Sequence, residues 1–242
     1  MSYFTYNDRS SEEFGLHIEK KDVFSAPEYD AEFTSIPGRS GDLIVSNRRF
    51  ANIKVSYTVF LARKNVAVLS EVLHAVKGWL YTEPDRYHEI TDSYDTKYIH
   101  YGVISGSLDI EEQFNKLGSF RVTFNCKPFK YSTVGLQEIP IENSGSLFNP
   151  EAFTAKPIIT LKGSGDFSLT LQNGGYNKTW NFKDISDSVV CDSEQMNFYY
   201  GTMLLNDKVT GDGFPELLSG ETVLTVSGSV SEIKVTPRWC CL

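Results

Sequence analysis

The sequence of 242 residues is poor in cysteine and has no long apolar run. Its four cysteines are Cys126, Cys191, Cys240 and Cys241, and no two of them form a C-x-x-C pair. The disulfide framework of a small secreted domain is therefore not expected, and synthesis in a reducing cytosol agrees better with this pattern. Residues 1–9 lack the apolar segment of a signal peptide, and no run reaches the roughly 18 apolar residues of a membrane span. We expect neither a signal peptide nor membrane insertion.

A cluster of positive charge is also missing. The chain has 23 basic and 31 acidic residues, which gives a formal net charge of −8 at pH 7. Because an acidic chain without a Lys/Arg run repels phosphate backbones, nucleic-acid binding is not expected to be its main function. The excess of negative charge favours solubility.

The sequence lacks the residue patterns of common active sites and metal centres. Its four histidines are His17, His74, His88 and His100. None of them has the spacing of a metalloprotease or zinc site, and the G-x-S-x-G nucleophile elbow does not occur. Asp92 and Asp95 are the obvious carboxylate pair for a glycosidase, but we expect them to cap a turn. The sequence predicts a protein that is not an enzyme and has no catalytic residues, metal or cofactor.

Apolar residues at every second position predict that the chain is mostly β. The clearest set is Ile53, Val55, Tyr57, Val59 and Leu61. Polar residues separate them, as in a strand with one buried face. The 16 Phe and 13 Tyr residues agree with this interpretation, because aromatic side chains favour pleated, half-buried surfaces.

One helix is predicted, over residues 65–80. Its apolar stripe is formed by Leu69, Val72, Leu73, Val76 and Leu80. These residues recur at spacings of three and four, which places them on one face of a helix. Asn65 is the expected N-cap, and Pro84 prevents a long continuation.

Two longer strands, about 97–110 and 118–129, are predicted to form a hairpin. The polar connection 111–116 between them would be its exposed tip.

The chain is predicted to divide into two β domains. Gly, Pro, Ser and Asn crowd residues 132–157, where little periodicity remains. The predicted domains are 1–132, which contains the helix, and 147–242, with a linker over 133–146. Turn signals recur roughly every 8–12 residues in the second domain, which is typical of a β-sandwich.

Three stretches of the first half stand out when they are taken in order. They are Ile36-Pro37-Gly38-Arg39-Ser40-Gly41-Asp42-Leu43, then Trp79-Leu80 with Ile90-Thr91-Asp92 and Tyr98, and then Phe120-Arg121-Val122-Thr123-Phe124-Asn125-Cys126-Lys127-Pro128-Phe129-Lys130-Tyr131. Together they resemble the siphophage distal tail protein (Dit) family. The first is similar to a glycine-arginine-glycine turn of that family, and the last to the segment that closes its N-terminal domain. Residues 214–221 and 230–238 resemble its C-terminal end, with Ser219 where the family often has Pro.

The resemblance implies a structural component of a phage or prophage tail tip. It implies a tail-tube-like N-terminal β domain with one helix and a galectin-like C-terminal β-sandwich. Six copies would form a ring, or two stacked rings, that joins the tail tube protein to the tail-associated hub, lysin or fibre protein during host adsorption. DNA would be only a passing cargo. The protein would be made in the bacterial cytoplasm and act at the virion tail tip.

The resemblance also directs attention to contacts between copies. The residues expected to make them lie in the polar connection and are Glu111, Glu112, Phe114 and Lys116.

An alternative function is a carbohydrate-binding module that recognises host cell-wall sugars through the C-terminal sandwich. Trp180, Tyr199 and Tyr200 are the residues that would stack on sugar rings. The competing interpretation is that these large aromatics fill the core of the sandwich.

Overall fold

The computed structural model describes residues 2–64, 66–113, 117–142 and 144–242. The chain is mostly β, as predicted, and the described residues contain one α-helix, α1 Val66–Leu80, and two short 3₁₀ helices, Ser11–Phe14 and Asn206–Lys208. The earlier strands are β1 Phe4–Tyr6, β2 Arg9–Ser10, β3 His17–Asp22, β4 Tyr29–Thr34, β5 Leu43–Phe50, β6 Ile53–Ala62, β7 His88–Asp92, β8 Tyr98–Ile104, β9 Glu111–Gln113, β10 Leu117–Cys126 and β11 Lys130–Ser132. The later strands are β12 Ile139–Ile141, β13 Ser144–Asn149, β14 Ile158–Asn173, β15 Tyr176–Ile185, β16 Ser188–Asp192, β17 Asn197–Tyr200, β18 Met203–Leu204, β19 Val209–Thr210, β20 Gly220–Thr236 and β21 Cys240–Cys241.

Two compact units divide the chain. The first contains residues 2–130 together with Leu242, and the second contains residues 131–241. Each unit has its own cluster of buried apolar side chains.

An antiparallel sheet organises the first unit, with strand order β2-β1-β7-β8-β10-β6-β3. Its longest ladder joins β6 to β10, from Ile53 opposite Cys126 to Ala62 opposite Leu117. The alternating residues Val55, Tyr57, Val59 and Leu61 are all fully buried, which confirms the predicted strand.

Helix α1 covers the core of this unit with its apolar stripe. Leu69, Val76 and Leu80 are buried, and Val72 and Leu73 pack partly buried against the same cluster, which confirms the predicted face. The predicted N-cap, Asn65, lies outside the described residues.

One strand of the first unit differs from its predicted bounds. The strand expected at 97–110 ends at Ile104, because Gly106 has a φ of 84° that an extended strand does not allow. Elsewhere in this unit, Ser10 and Glu13 form a capping box that begins the first 3₁₀ helix, and β3 starts at His17.

Two long strands organise the second unit. β14 pairs with β20 along most of its length, and the register shifts around Gly163–Phe167, where both strands bend. Before the bend β14 also pairs with β16, and after it with β15. Side chains from both halves enter one core, which includes Ile159 from one half and Trp180 from the other.

The predicted linker 133–146 contains ordered strands instead. β12 pairs with the last part of β20, and β13 pairs with its first part, both antiparallel. Pro140 is compatible with β12 because an edge strand needs hydrogen-bond donors on one side alone. The linker prediction was therefore wrong, since short edge strands separated by turns have the same composition as a linker.

Candidate functional site

Strands β4 and β5 form a two-stranded ribbon, residues 29–50, that is separate from the main sheets. Among the described residues, these two strands pair with each other and with no third strand. The turn between Thr34 and Leu43 contains Gly38 and Gly41, whose positive φ angles require glycine, so the predicted turn is confirmed. We call this feature the ribbon.

One face of the ribbon is apolar and open to solvent. Phe33 lies opposite Ile44, and Ala31 lies opposite Ser46. Directly opposite residues of an antiparallel pair point to the same side, so these four side chains share one face. Phe33 is 67% exposed and Ile44 is 60% exposed. Large apolar side chains exposed in this way are typical of a protein–protein contact.

The other face of the ribbon carries charge. The carboxylate of Asp30 accepts hydrogen bonds from Asn47 Nδ2 at 2.8 Å and from Arg49 Nε at 2.6 Å. These two hydrogen bonds lower the pKa of Asp30. This face therefore carries an ionised carboxylate at neutral pH, whereas the two large side chains of the opposite face, Phe33 and Ile44, are apolar and mostly exposed.

Aromatic contacts hold the base of the ribbon. The ring of Phe50 lies edge-on to Tyr29 at 5.1 Å and to Phe129 at 5.6 Å between centroids. Ala51 N donates to Glu28 O at 2.8 Å just below the last ribbon pair. Two residues separate β5 from β6, so the ribbon continues the β3–β6 hairpin of the main sheet beyond its edge.

An isolated two-stranded hairpin is only marginally stable in water. The aromatic contacts at the base stabilise the start of the ribbon. The outer half of the ribbon contributes no side chain to the buried core of the unit. Its free strand edges and its open apolar face are both features that association with another chain would cover.

The predicted contact residues lie in a different hairpin. β9 pairs with β10, with Glu111 opposite Ser119 and Glu112 opposite Gly118, so residues 111–113 of the predicted exposed tip form a strand instead. The predicted pairing of the two longer strands is present between β8 and β10, where Ile104 lies opposite Phe124. The side chain of Glu111 is exposed. Phe114 and Lys116 lie outside the described residues, and the part of these residues in assembly stays a prediction.

The three aromatics predicted to stack on sugars have different environments. Trp180 is fully buried, Gly211 lies against its indole, and its Nε1 donates to Gly213 O at 2.9 Å. Trp180 was therefore wrongly assigned, because no face of its ring is open. Tyr199 is half-buried. Tyr200 is 43% exposed, and its hydroxyl donates to Asp187 Oδ2 at 3.0 Å, a contact that raises the pKa of Tyr200.

The carboxylate pair considered for a glycosidase forms a turn, as expected. Asp92 Oδ1 accepts from the backbone N–H groups of Tyr94 and Asp95 at 2.8 and 2.9 Å, and its Oδ2 accepts from Tyr57 Oη at 2.9 Å. Burial, followed by the charge of Asp92, raises the pKa of Tyr57. These groups satisfy one another inside the first unit, so they serve the fold.

His100 stands next to this turn. Burial, and then the nearby Lys130, lowers the pKa of His100 to about 4, so the ring is neutral at pH 7. The adjoining cavity measures about 20 Å³, which is room for one water molecule and not for a substrate. Among the residues that the structure describes, no group of three or more His, Cys, Asp or Glu side chains is arranged to hold a metal ion.

No described helix has both the length and the apolar character needed to span a bilayer.

Sequence reasoning did not identify the apolar face of the ribbon. The signal was present in Leu43-Ile44-Val45, three apolar residues in succession directly after a turn. A strand with one buried face alternates, so an unbroken apolar run at the end of a hairpin indicates a second surface to be covered.

Comparison with known proteins finds a family model that matches most of the first unit. Residues 10–126 match the family model described as the phage tail protein RIFT-related domain. Among curated protein sequences no relative matches the chain.

Solved structures show the same fold over the whole chain. The crystal structure of the SPP1 Dit (gp 19.1) protein, described as a paradigm of the hub adsorption apparatus in phages that infect Gram-positive bacteria, matches with a TM-score of 0.77 at 12% identity, covering 100% of both chains. A chain of the phage P2 baseplate in its activated conformation with Ca matches with a TM-score of 0.52 at 8% identity over 97% of each chain. The chain therefore has the fold of a distal tail protein.

Proposed function

We propose that this chain, whose residues 10–126 belong to the family of phage tail protein RIFT-related domains, is a structural component of a phage or prophage tail tip. In this role six copies form a ring that joins the tail tube to the distal hub or receptor-binding apparatus. The full-length likeness to the SPP1 Dit protein supports the role at the tail tip. The exposed apolar face of the ribbon is the observation that best supports the proposed ring.

A closed ring requires a head-to-tail contact, in which one surface of each copy meets a different surface of the next. The ribbon supplies one such surface, because its apolar face belongs to a single edge of the first unit and is not self-covered. Its unpaired strand edges add backbone donors and acceptors that a neighbouring strand can satisfy. The β9–β10 hairpin, with Glu111 and Glu112, is a second candidate for contacts between copies.

The partners follow from the position of the ring. The tail tube protein lies on one side, and the hub, lysin or fibre protein lies on the other. DNA passes through without being held, which agrees with a net charge of −8 on each copy.

The test is the mass of the purified protein at micromolar concentration, measured by light scattering after size exclusion. We expect six times the 27.3 kDa of the chain, or twelve times for two stacked rings. Replacing Phe33 and Ile44 together by Ser removes about 3 kcal/mol of apolar burial from each contact and weakens assembly roughly 100-fold or more.

The matched control is Phe148→Ser, which removes an equally exposed aromatic, 66% accessible, from the second unit. It should leave the mass unchanged. Glu111→Lys reports separately on the second candidate hairpin. A monomer at every concentration, or a Phe33/Ile44 variant that assembles like the unaltered chain, contradicts the ring.

A further inference from the structure

The second unit has a shallow cleft where β14 and β20 bend. Its volume is about 260 Å³, and it is lined by Lys162, Gly163, Ser164, Ser186, Asp187, Ser229 and Ser231. This volume lies slightly below the roughly 300 Å³ at which small-molecule clefts begin, so the cleft suits only a small ligand or one part of a larger ligand.

The floor of the cleft is held rigidly by backbone contacts. Gly163 N donates to Asp187 O at 2.7 Å, and Ser231 Oγ donates to Lys162 O at 3.1 Å. A Cβ at position 163 would approach Ser229 O within 2.4 Å, so only glycine allows the two strands to cross this closely. The polar groups are therefore positioned before any ligand arrives.

An exposed aromatic ring stands beside the cleft. The hydroxyl of Tyr200 donates to Asp187 Oδ2, and Asp187 itself lines the cleft. This hydrogen bond anchors the ring while leaving it 43% exposed. Tyrosine combines an apolar π-face with a polar tip, a combination that suits a ligand with one apolar and one polar side.

The charges in the cleft restrict the class of ligand. Lys162 and Asp187 contribute one positive and one negative group, so neither an anion nor a cation is favoured. The four serines supply hydroxyl groups that both donate and accept hydrogen bonds. A neutral polyhydroxylated molecule matches this lining, since its hydroxyls pair with these groups and its C–H face rests on the ring.

We propose that the Tyr200 cleft binds a neutral saccharide. Tyr200 supplies the stacking face, and Asp187, Lys162 and the serines bind the sugar hydroxyls. This proposal does not depend on the proposed six-membered assembly, because every residue of the cleft belongs to the second unit.

Saturation-transfer NMR tests the site, because it reads the signals of the ligand and can be recorded on a single copy as well as on an assembly. The probes are glucose, galactose and N-acetylglucosamine, each as the free monosaccharide and as its trisaccharide, at millimolar concentration. We expect saturable transfer to at least one of them. A response to trisaccharides that exceeds the response to monosaccharides identifies a polysaccharide as the source.

The variants locate the binding. Tyr200→Ala should weaken it roughly tenfold or more, and Tyr200→Phe, which keeps the ring and loses the Asp187 contact, should weaken it less. Phe148→Ala is the matched control, an exposed aromatic of the same unit away from the cleft, and it should bind like the unaltered protein. Each variant is first checked for an unchanged thermal transition.

Three results overturn the proposal: no saturable transfer to any probe, unaltered binding by Tyr200→Ala, or equal loss in Phe148→Ala. The Phe33/Ile44 double variant separates the two proposals, since it should no longer assemble into a hexamer but should still bind the saccharide.

Discussion

The two units of this chain treat their apolar side chains differently. The first builds an aromatic core in which Phe4 stacks on Tyr57 at 4.6 Å and on Trp79 at 5.7 Å, yet it leaves Phe33 and Ile44 outside on the ribbon. The second uses two long bent strands to close both halves of its sheet over one core that includes Trp180. The difference predicts that the proposed assembly and the folding depend on separate residues in the first unit, whereas in the second unit the bend and the core act together.

The largest expected effect tests the closure of the second unit. Trp180→Ala removes a fully buried indole and leaves Gly213 O without its donor, which should lower the free energy of unfolding by about 3–5 kcal/mol. Urea denaturation measures it. Phe148→Ala, also an aromatic of this unit but exposed, should change stability by less than about 0.5 kcal/mol. Equal losses in both would mean that the core does not depend on the indole.

A buried ion pair near the end of the second unit should give the next largest effect. Arg238 Nη1 and Nη2 donate to Asp192 Oδ1 and Oδ2 at 2.7 and 3.2 Å, with the two side chains 16% and 2% exposed. Arg238→Ala leaves the carboxylate of Asp192 buried without its cation and should cost about 3 kcal/mol. Thermal or urea unfolding at pH 7 measures the loss.

The same pair predicts a pH dependence. Burial acts to raise the pKa of Asp192, but the hydrogen bonds from Arg238 and from the backbone of Gln195 outweigh it, and the net pKa is lowered from its usual value of 3.8. A lowered folded-state pKa contributes stability that is present above the unfolded pKa and is lost as the pH falls through the folded one. The stability lost on acidification below about pH 4 should therefore be smaller in Asp192→Asn.

The control for the pair comes from the first unit. Arg121 Nη2 lies 2.7 Å from Asp22 Oδ2, but the two side chains are 55% and 40% exposed. Arg121→Ala should change stability by at most about 1 kcal/mol. A loss as large as that of Arg238→Ala would remove the distinction between the buried and exposed pairs.

A smaller effect than that of Trp180→Ala or Arg238→Ala distinguishes the bend of the second unit from the turn of the ribbon. Gly228 has a φ of 101°, and a Cβ there would meet Asp166 O at 2.7 Å. Gly41, in the ribbon turn, has a φ of 86° but open space around it. Gly228→Ala should cost about 2 kcal/mol or more, because clash adds to backbone strain, and Gly41→Ala about 1 kcal/mol. Urea midpoints of the two variants test the order.

Sequence patterns predicted the elements that repeat regularly. Helix α1 and strand β6 were found because their apolar residues keep one period and face one core. The apolar face of the ribbon was missed because its apolar residues face outward. Periodicity identifies an apolar face, but it does not tell whether the core of the same chain or another chain covers that face. The linker was misassigned because β12 and β13 are short edge strands among turn residues.

The residues predicted to stack on sugars also show what alternation along a strand can and cannot tell. Trp180 and Phe182 alternate with exposed Thr179 and Asn181, a pattern that assigns the indole to the core, and the structure buries it. Tyr200 lies at the end of β17, where alternation no longer distinguishes inside from outside. Its hydrogen bond to Asp187 joins the end of β17 to the turn between β15 and β16, 13 residues earlier, which no local pattern reports.

The continuity of the ribbon with the main sheet has a mechanical consequence. A pull on the ribbon tip passes along β5 and through two residues into β6, and β6 is paired with β10 over ten residues. When the pull is directed along β6, the load is shared by all of these hydrogen bonds at once and does not open them one after another. Forced unfolding is governed by the unfolding rate, so a chain tethered through Arg39 should withstand a higher force than one tethered through the end of β1.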